Sequence, residues 1–531
     1  MKQTLCFING CIHTVDPSLP NAEAVVSRGN TIVFVGSSAD ARSASGSSAT
    51  IIDLAGRCVL PGFADDHTHF VQGGMFLQGI DLRSCTSTAA FKERIGAYAA
   101  AHRGTWITGG DWDQEKWEVK RLPRREWVDS LTPDTPVFVN RLDGHMALAN
   151  SAALRLAGIT AATCDPDGGM IERDRRTQEP TGILKDMAME LVLHVIPPPT
   201  EARLESAVLR ALAEARRLGV TSIHDISAPE HIPVFRKLER TGKLSCRIYA
   251  RLPLAGYREL VQQGIRAAHG TQRLTLGSMK AFSDGSLGSG TALFFDSYTD
   301  EPGNRGLAMD VLTSGKLREW AIDADRNGLQ LSIHAIGDRA NDMVLSIFEE
   351  IVRVNPPWDR RFRIEHAQHV RFGDFARLAR LGVIVSAQPY HCVDDGVWAE
   401  QRIGPERART TYAFKSFLDL GVKVCFGSDW TVAPLDPIAG IAAAVTRRTL
   451  DGKRPEGWIP EQKVTVEEAV RCYTINNAFA SFAEDERGSI TPGKLADLVV
   501  LDNDPFSVEP STIGGVRVEM TVMDGEIVFG K

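Results

Sequence analysis

Pro61-Gly62-Phe63-Ala64-Asp65-Asp66-His67-Thr68-His69 follows directly on an apolar run, Cys58-Val59-Leu60. Residues two apart on a strand share a face, so His67 and His69 at a strand end aim at one point. A metal ion is the commonest reason to build such a pair; two polar side chains on a solvated loop are the plainer one. The residues downstream decide between these readings, and they decide the fold as well.

Beyond that stretch, helices alternate with strands. Residues 202–218 place Leu204, Val208, Leu212, Ala215 and Leu218 on one helical face, Gly219 stops the helix, and a strand over 220–224 follows. Similar helix-then-strand units occupy 323–334, 372–388 and 412–429. Their strands, at 329–333, 383–385 and 422–426, are almost wholly apolar, as in a parallel sheet buried on both faces. The unit count predicts an α/β fold built on a (β/α)8 TIM-like barrel over residues 60–484.

The two ends read differently. Short strands at 4–8, 11–15, 24–26, 31–35 and 50–54 open the chain, with Asn9-Gly10 as a hairpin signal between the first two. Strands at 497–501 and 516–523 close it, and Asp524-Gly525 turns into a last strand at 526–529. Each end alone has little to bury against. The ends are therefore expected to pair as one small discontinuous β-sandwich domain, residues 1–59 and 485–531. Residues from about 76 to 199 form the least regular part and read as an insertion over the barrel mouth.

Composition bounds the function. A chain of 531 residues with 43% hydrophobic and 24% charged residues is ordinary for a globular protein. A net charge of −7, with no basic cluster, argues against nucleic acid or an acidic membrane as partner. No signal peptide and no membrane-length apolar window is evident. The nine cysteines are scattered without CxxC spacing, which suggests reduced thiols, a cytoplasmic setting and no cysteine ligand to metal.

Polar residues recur at the ends of the apolar strands, where a parallel barrel gathers its site. After His67 and His69 come Lys280, His334 in Ile333-His334-Ala335, His366 in Glu365-His366-Ala367, and Asp429 in Gly427-Ser428-Asp429. His224 fits a satisfied strand-end histidine equally well. Six such residues in this order are hard to explain without a metal. Lys185 is a weaker candidate than Lys280, whose strand is read as lying directly between those ending in His224 and His334, at the fourth position.

With these residues the chain resembles the amidohydrolase superfamily, in the branch of N-substituted formamide deformylases and YtcJ-like proteins. The resemblance covers nearly the whole length and includes Leu60-Pro61-Gly62-Phe63, Asp284-Gly285-Ser286 and Gly493-Lys494-Leu495-Ala496-Asp497. It implies that His67 and His69 bind the more buried of two metals and that His334 and His366 bind the second. It also implies that Lys280 bridges both as a carbamate and that Asp429 binds the first metal and serves as base. The chemistry agrees: neutral imidazole suits Zn2+, a buried lysine titrates low, and a carboxylate beside activated water can shuttle its proton.

The expected activity is metal-dependent hydrolysis of an amide or N-substituted formamide, a carbon–nitrogen bond other than a peptide bond, by metal-activated hydroxide with one or two ions. Cyclic amides, esters and deaminable rings remain alternatives on the same core. A non-catalytic barrel scaffold would be expected to have lost ligands. Trp112, Arg339 and Trp430 are candidates for the substrate pocket, and His145 and His391 for holding the carbonyl or leaving group. The expected partner is a small-molecule amide, with a homodimer left open.

Overall fold

The computed structural model describes residues 3–530. Eight parallel strands make the barrel: β1 (Phe63–Thr68), β2 (Val220–Ile226), β3 (Arg247–Pro253), β4 (Leu274–Phe282), β5 (Gln330–Ala335), β6 (Arg363–His366), β7 (Ile384–Ala387) and β8 (Lys423–Phe426). Each pairs with the next in chain order, from β1 with β2 through β7 with β8. Between β8 and β1 the ladder is replaced by a few bonds from the segment after β8 to the C-terminal end of β1. Asp429 N donates to His67 O at 2.6 Å, and His69 N donates to Trp430 O at 2.7 Å.

The helix Glu201–Arg217 shows how the sequence builds one wall. Thr200 caps it by accepting from Arg203 N, and Leu204, Val208, Leu212 and Ala215 are buried along one stripe. Gly219 then takes φ +75°, which favours glycine, and the chain enters β2. One strand, β3, lies between those ending in His224 and Lys280 and was not recognised in the sequence. Its Arg247 and Arg251 are buried, so it lacks the apolar run of its neighbours.

The chain ends do meet. Leu498–Leu501 pairs antiparallel with Cys58–Pro61, which pairs in parallel with Cys11–His13, so strands from both ends share one six-stranded sheet. A second, four-stranded sheet faces the same core, to which Leu5, Phe7, Val25, Leu498 and Val522 contribute. Asp524-Gly525 makes the expected hairpin turn, both residues at positive φ. Asn9-Gly10 does not: Thr4–Ile8 belongs to the four-stranded sheet and Cys11–His13 to the six-stranded one, so this dipeptide carries the chain between sheets.

The region from 76 to 199 is more regular than its sequence suggested. It holds a six-stranded mixed sheet whose strands run from Ile80–Asp81 to Pro180–Asp186. The strands are short, and Gly109 and Gly110 both sit at positive φ, which breaks the alternation a sequence reading relies on. The sheet reaches the mouth of the barrel, where Ser286 Oγ donates to Asp143 Oδ2 at 2.9 Å and Arg83 donates to Thr431 O. No helix among the described residues is long and apolar enough to cross a membrane.

Arg247, at the base of β3, ties the barrel to the terminal sheets. Its guanidinium makes a two-pronged pair with Asp497, at 2.7 and 2.9 Å, and reaches Asp524 as well. Both Arg247 and Asp497 are buried. Arg247→Ala leaves two carboxylates short of a partner and is expected to cost roughly 3–5 kcal/mol in denaturant unfolding. A change below about 1 kcal/mol would show that this junction contributes little.

Candidate metal centre

At the C-terminal face of the barrel the predicted polar residues converge. Ligand atoms of His67, His69 and Asp429 lie within 4.8 Å of one another, and so do those of His366, His391 and Asp429. Asp429 Oδ1 is 3.6 Å from His67 Nε2 and 3.3 Å from His69 Nε2. The rings of His67 and His366 stand 4.8 Å apart, and those of His366 and His334 4.6 Å apart. His366 and Asp429 both sit in the left-handed region, at φ +73° and +55°. Such conformations cost of order 1–3 kcal/mol each and gather at functional sites.

Hydrogen bonds set the ring orientations. His67 Nδ1 faces Glu365, which leaves Nε2 towards Asp429. His366 Nδ1 is bonded to Gln388 Oε1 at 2.7 Å, and His334 Nε2 lies 3.2 Å from Gly285 O. In each case one nitrogen is occupied and the other is free for a ligand, the usual outer-sphere arrangement around a cation. Burial holds the His67 and His334 imidazoles well below their usual range and brings His366 down to about 4. Neutral rings are what a metal requires. Burial disfavours an ionised Asp429, but the surrounding imidazoles outweigh it and hold its carboxyl well below the ordinary range.

Lys280, on β4, is buried with Nζ lacking any hydrogen-bond partner. Burial pushes its ammonium down to about 7, with Glu365 and Asp429 opposing and Arg251 and Arg363 reinforcing the shift. Lys185 is different: it lies on the inserted sheet, partly exposed, with Nζ 3.9 Å from Glu172. The unpartnered Lys280 Nζ, Asp429 Oδ1 and His391 Nε2, all buried, together with neutral imidazoles, fit a divalent cation.

A charge network that the sequence reading did not assign lies beneath these side chains. Glu365 pairs with Arg251 at 2.6 Å and with Arg363 at 3.0 Å. Arg363 pairs in turn with Asp66 at 2.8 Å, and His224 Nδ1 lies 2.6 Å from the same carboxylate. All five side chains are sealed from solvent. The spacing Arg363-Ile364-Glu365 was the available signal, because two opposite charges on one face of a buried strand need partners.

The peripheral candidates separate. His145 stands at the mouth with Nδ1 2.8 Å from Asp186 Oδ1 and its ring 6.0 Å from that of His334. Burial lowers its pKa, but Asp186 overrides this and the net shift is upward. His391 lies on the helix Pro389–Asp395, beyond the end of β7 rather than on it, with its ring stacked 6.5 Å from His366. Trp112, expected at the pocket, is instead fully buried in the inserted domain's core, where its Nε1 donates to Val139 O. Trp430 is also buried, against Phe70, where its backbone helps to close the barrel. Arg339 is exposed in the first turn of Asp338–Val354.

Comparison with known proteins accords with this geometry. The sequence profile of the Amidohydrolase family matches residues 50–529. The chain belongs to that family. Among its relatives, Protein LONG AFTER FAR-RED 3 of Arabidopsis thaliana is 38% identical, the match covering 96% of this chain and 89% of that protein. Putative amidohydrolase YtcJ of Bacillus subtilis is 32% identical, over 98% of each. N-substituted formamide deformylase of Arthrobacter pascens is 29% identical, over 99% of this chain and 98% of the relative. An uncharacterized metal-dependent hydrolase of Pyrococcus horikoshii superposes with a TM-score of 0.79 at 31% identity, covering 96% of this chain and 99% of that one.

In this amidohydrolase the tie between Glu365 and His67 is open to a direct test. Glu365→Gln keeps the shape but removes the charge that orients His67 and balances two buried arginines. Zinc affinity, read by competition with a chromogenic chelator, is expected to fall about 10–100-fold. Unchanged affinity would show that Glu365 does not govern the ligand.

Proposed function

We propose that this protein hydrolyses a carbon–nitrogen bond other than a peptide bond, in an amide or N-substituted formamide, with one or two divalent cations. The observation that carries the reading is Asp429. Its carboxylate is buried, keeps one oxygen without a hydrogen-bond partner and faces imidazoles from the ends of β1 and β6 and from the helix after β7. His67, His69 and Asp429 would hold one cation. His334 and His366, with His391 beside them, would hold a second, and Lys280, whose buried Nζ has no hydrogen-bond partner, would serve as a further ligand in its carbamate form. A cation held there would supply Lewis acidity to a substrate carbonyl and to water.

The chain's own groups account for the proton traffic. Asp429, ionised at neutral pH, takes the proton of the attacking water and returns it to the departing nitrogen. His145, kept protonated more readily by Asp186, would donate to the carbonyl oxygen or the leaving group. Lys280 is available as a free amine at neutral pH, the form that takes up carbon dioxide. The inserted region reaches the barrel mouth, with His145 beside His334 and Asp143 beside Ser286, and would help to select the substrate. The likeness to a formamide deformylase over nearly the whole chain favours a small acyl group on a larger amine.

Metal analysis coupled to a screen of N-acyl amines, including formamides with aromatic N-substituents, tests the reading. Turnover of amides above esters and cyclic amides is expected; an ester or cyclic amide turned over in preference would replace the proposed substrate class. Asp429→Asn should lower kcat by at least about 100-fold while circular dichroism stays unchanged. Activity near the unaltered level would remove Asp429 from the proton-transfer role.

Carboxylation has its own readout. With 13C-labelled bicarbonate, the metal-loaded protein should show a carbamate carbon resonance that disappears in Lys280→Gln. A metal-loaded protein without that resonance would leave Lys280 as an ordinary amine.

A further inference from the structure

Outside the barrel, three metal-binding side chains meet at the edge of the terminal sheets. Cys11 and His13 lie two apart on the strand Cys11–His13, so both leave the same face. Cys11 Sγ is 3.6 Å from His13 Nε2 and 3.6 Å from Asp504 Oδ2. His13 Nε2 is 3.1 Å from Asp504 Oδ1, across 491 residues of sequence. Asp504 is delivered by Leu498–Leu501, which runs beside Cys58–Pro61, itself beside Cys11–His13. Phe506 N donates to Asp504 Oδ1 at 3.0 Å, and the Phe506 ring stacks on His13 at 4.0 Å, so carboxylate and imidazole are both held in place. Cys58 is the register partner of Cys11; burial first, then Asp504 and Cys11, push its thiol up.

The geometry separates two chemistries. A nucleophilic relay needs an imidazole that meets the thiol through one nitrogen and the carboxylate through the other. Here both approach Nε2, so the three groups converge as a chelate would. Tetrahedral zinc, with bonds of about 2.3 Å to sulfur and 2.0–2.2 Å to nitrogen and oxygen, places such donors roughly 3.3–3.6 Å apart. The two separations from sulfur, 3.6 Å each, match that spacing, and the 3.1 Å between His13 Nε2 and Asp504 Oδ1 is slightly shorter.

We propose that Cys11, His13 and Asp504 form a further divalent-metal site, distinct from the barrel centre, that fastens the C-terminal segment to the N-terminal strand. Thiolate and imidazole select a borderline-soft cation such as Zn2+ over Mg2+ or Ca2+. The His13 and Asp504 side chains are 17% and 18% exposed, so an ion can enter from solvent. Water would complete the coordination.

Cobalt(II) titration of the full chain tests this without reference to turnover. The barrel donors include no thiolate, so near-ultraviolet thiolate-to-cobalt charge-transfer absorption reports the terminal cluster alone. The band should appear in the unaltered protein, vanish in Cys11→Ser, and require at least about 10–100-fold more cobalt in Asp504→Asn. Bound cobalt should fall by one equivalent in Cys11→Ser while the barrel centre still fills. If Cys11→Ser fails to fold, His13→Ala, at the rim, takes its place. No band at saturating cobalt, or a band that survives these substitutions, overturns the proposal.

Discussion

Two arginines and two carboxylates, all sealed from water, lie beneath the candidate metal centre. Arg251, Arg363, Asp66 and Glu365 come from β3, β6 and β1, so their pairing fixes how these strands stand against one another. Removing a partner from such a cluster strands a charge in a medium that solvates it poorly. The same network sets His67 through Glu365 and His224 through Asp66, so strand packing and ligand orientation depend on one set of contacts.

Closure of the barrel depends on a smaller device. Asp65, buried on β1, accepts from Ser428 N at 2.9 Å and from His67 N at 3.1 Å. It holds the segment after β8 against the end of β1 at the point where Asp429 turns through a left-handed conformation. The left-handed conformation at Asp429 is thus held by a neighbouring strand rather than by the local sequence.

His67, His69, Lys280, His334, His366 and Asp429 were legible because each ends or interrupts an apolar strand, and a polar residue there contrasts sharply with its surroundings. The same contrast worked against β3, where Arg247 and Arg251 made a buried strand look half solvated. It also hid Glu365 and Asp66, whose roles appear only when four separate strands are assembled. Trp112, a candidate for the substrate pocket, packs instead in a core that belongs to the inserted sheet, and that core is assembled from segments far apart in sequence. Asn9-Gly10 carries a turn signal, but the choice between pairing onward and crossing to another sheet is made by partners hundreds of residues away.

The joint between β8 and β1 differs from the seven others in the hoop, each of which is a strand-to-strand ladder, though those of β1 with β2 and β3 with β4 shift register. In mechanical terms the barrel is a split ring held by a clasp. Strain applied at the mouth concentrates at that clasp, because a few bonds yield before a ladder does. His69, Asp429 and Trp430 flank it, so two of the candidate metal ligands, His69 and Asp429, stand at the seam of the wall that has no strand-to-strand ladder.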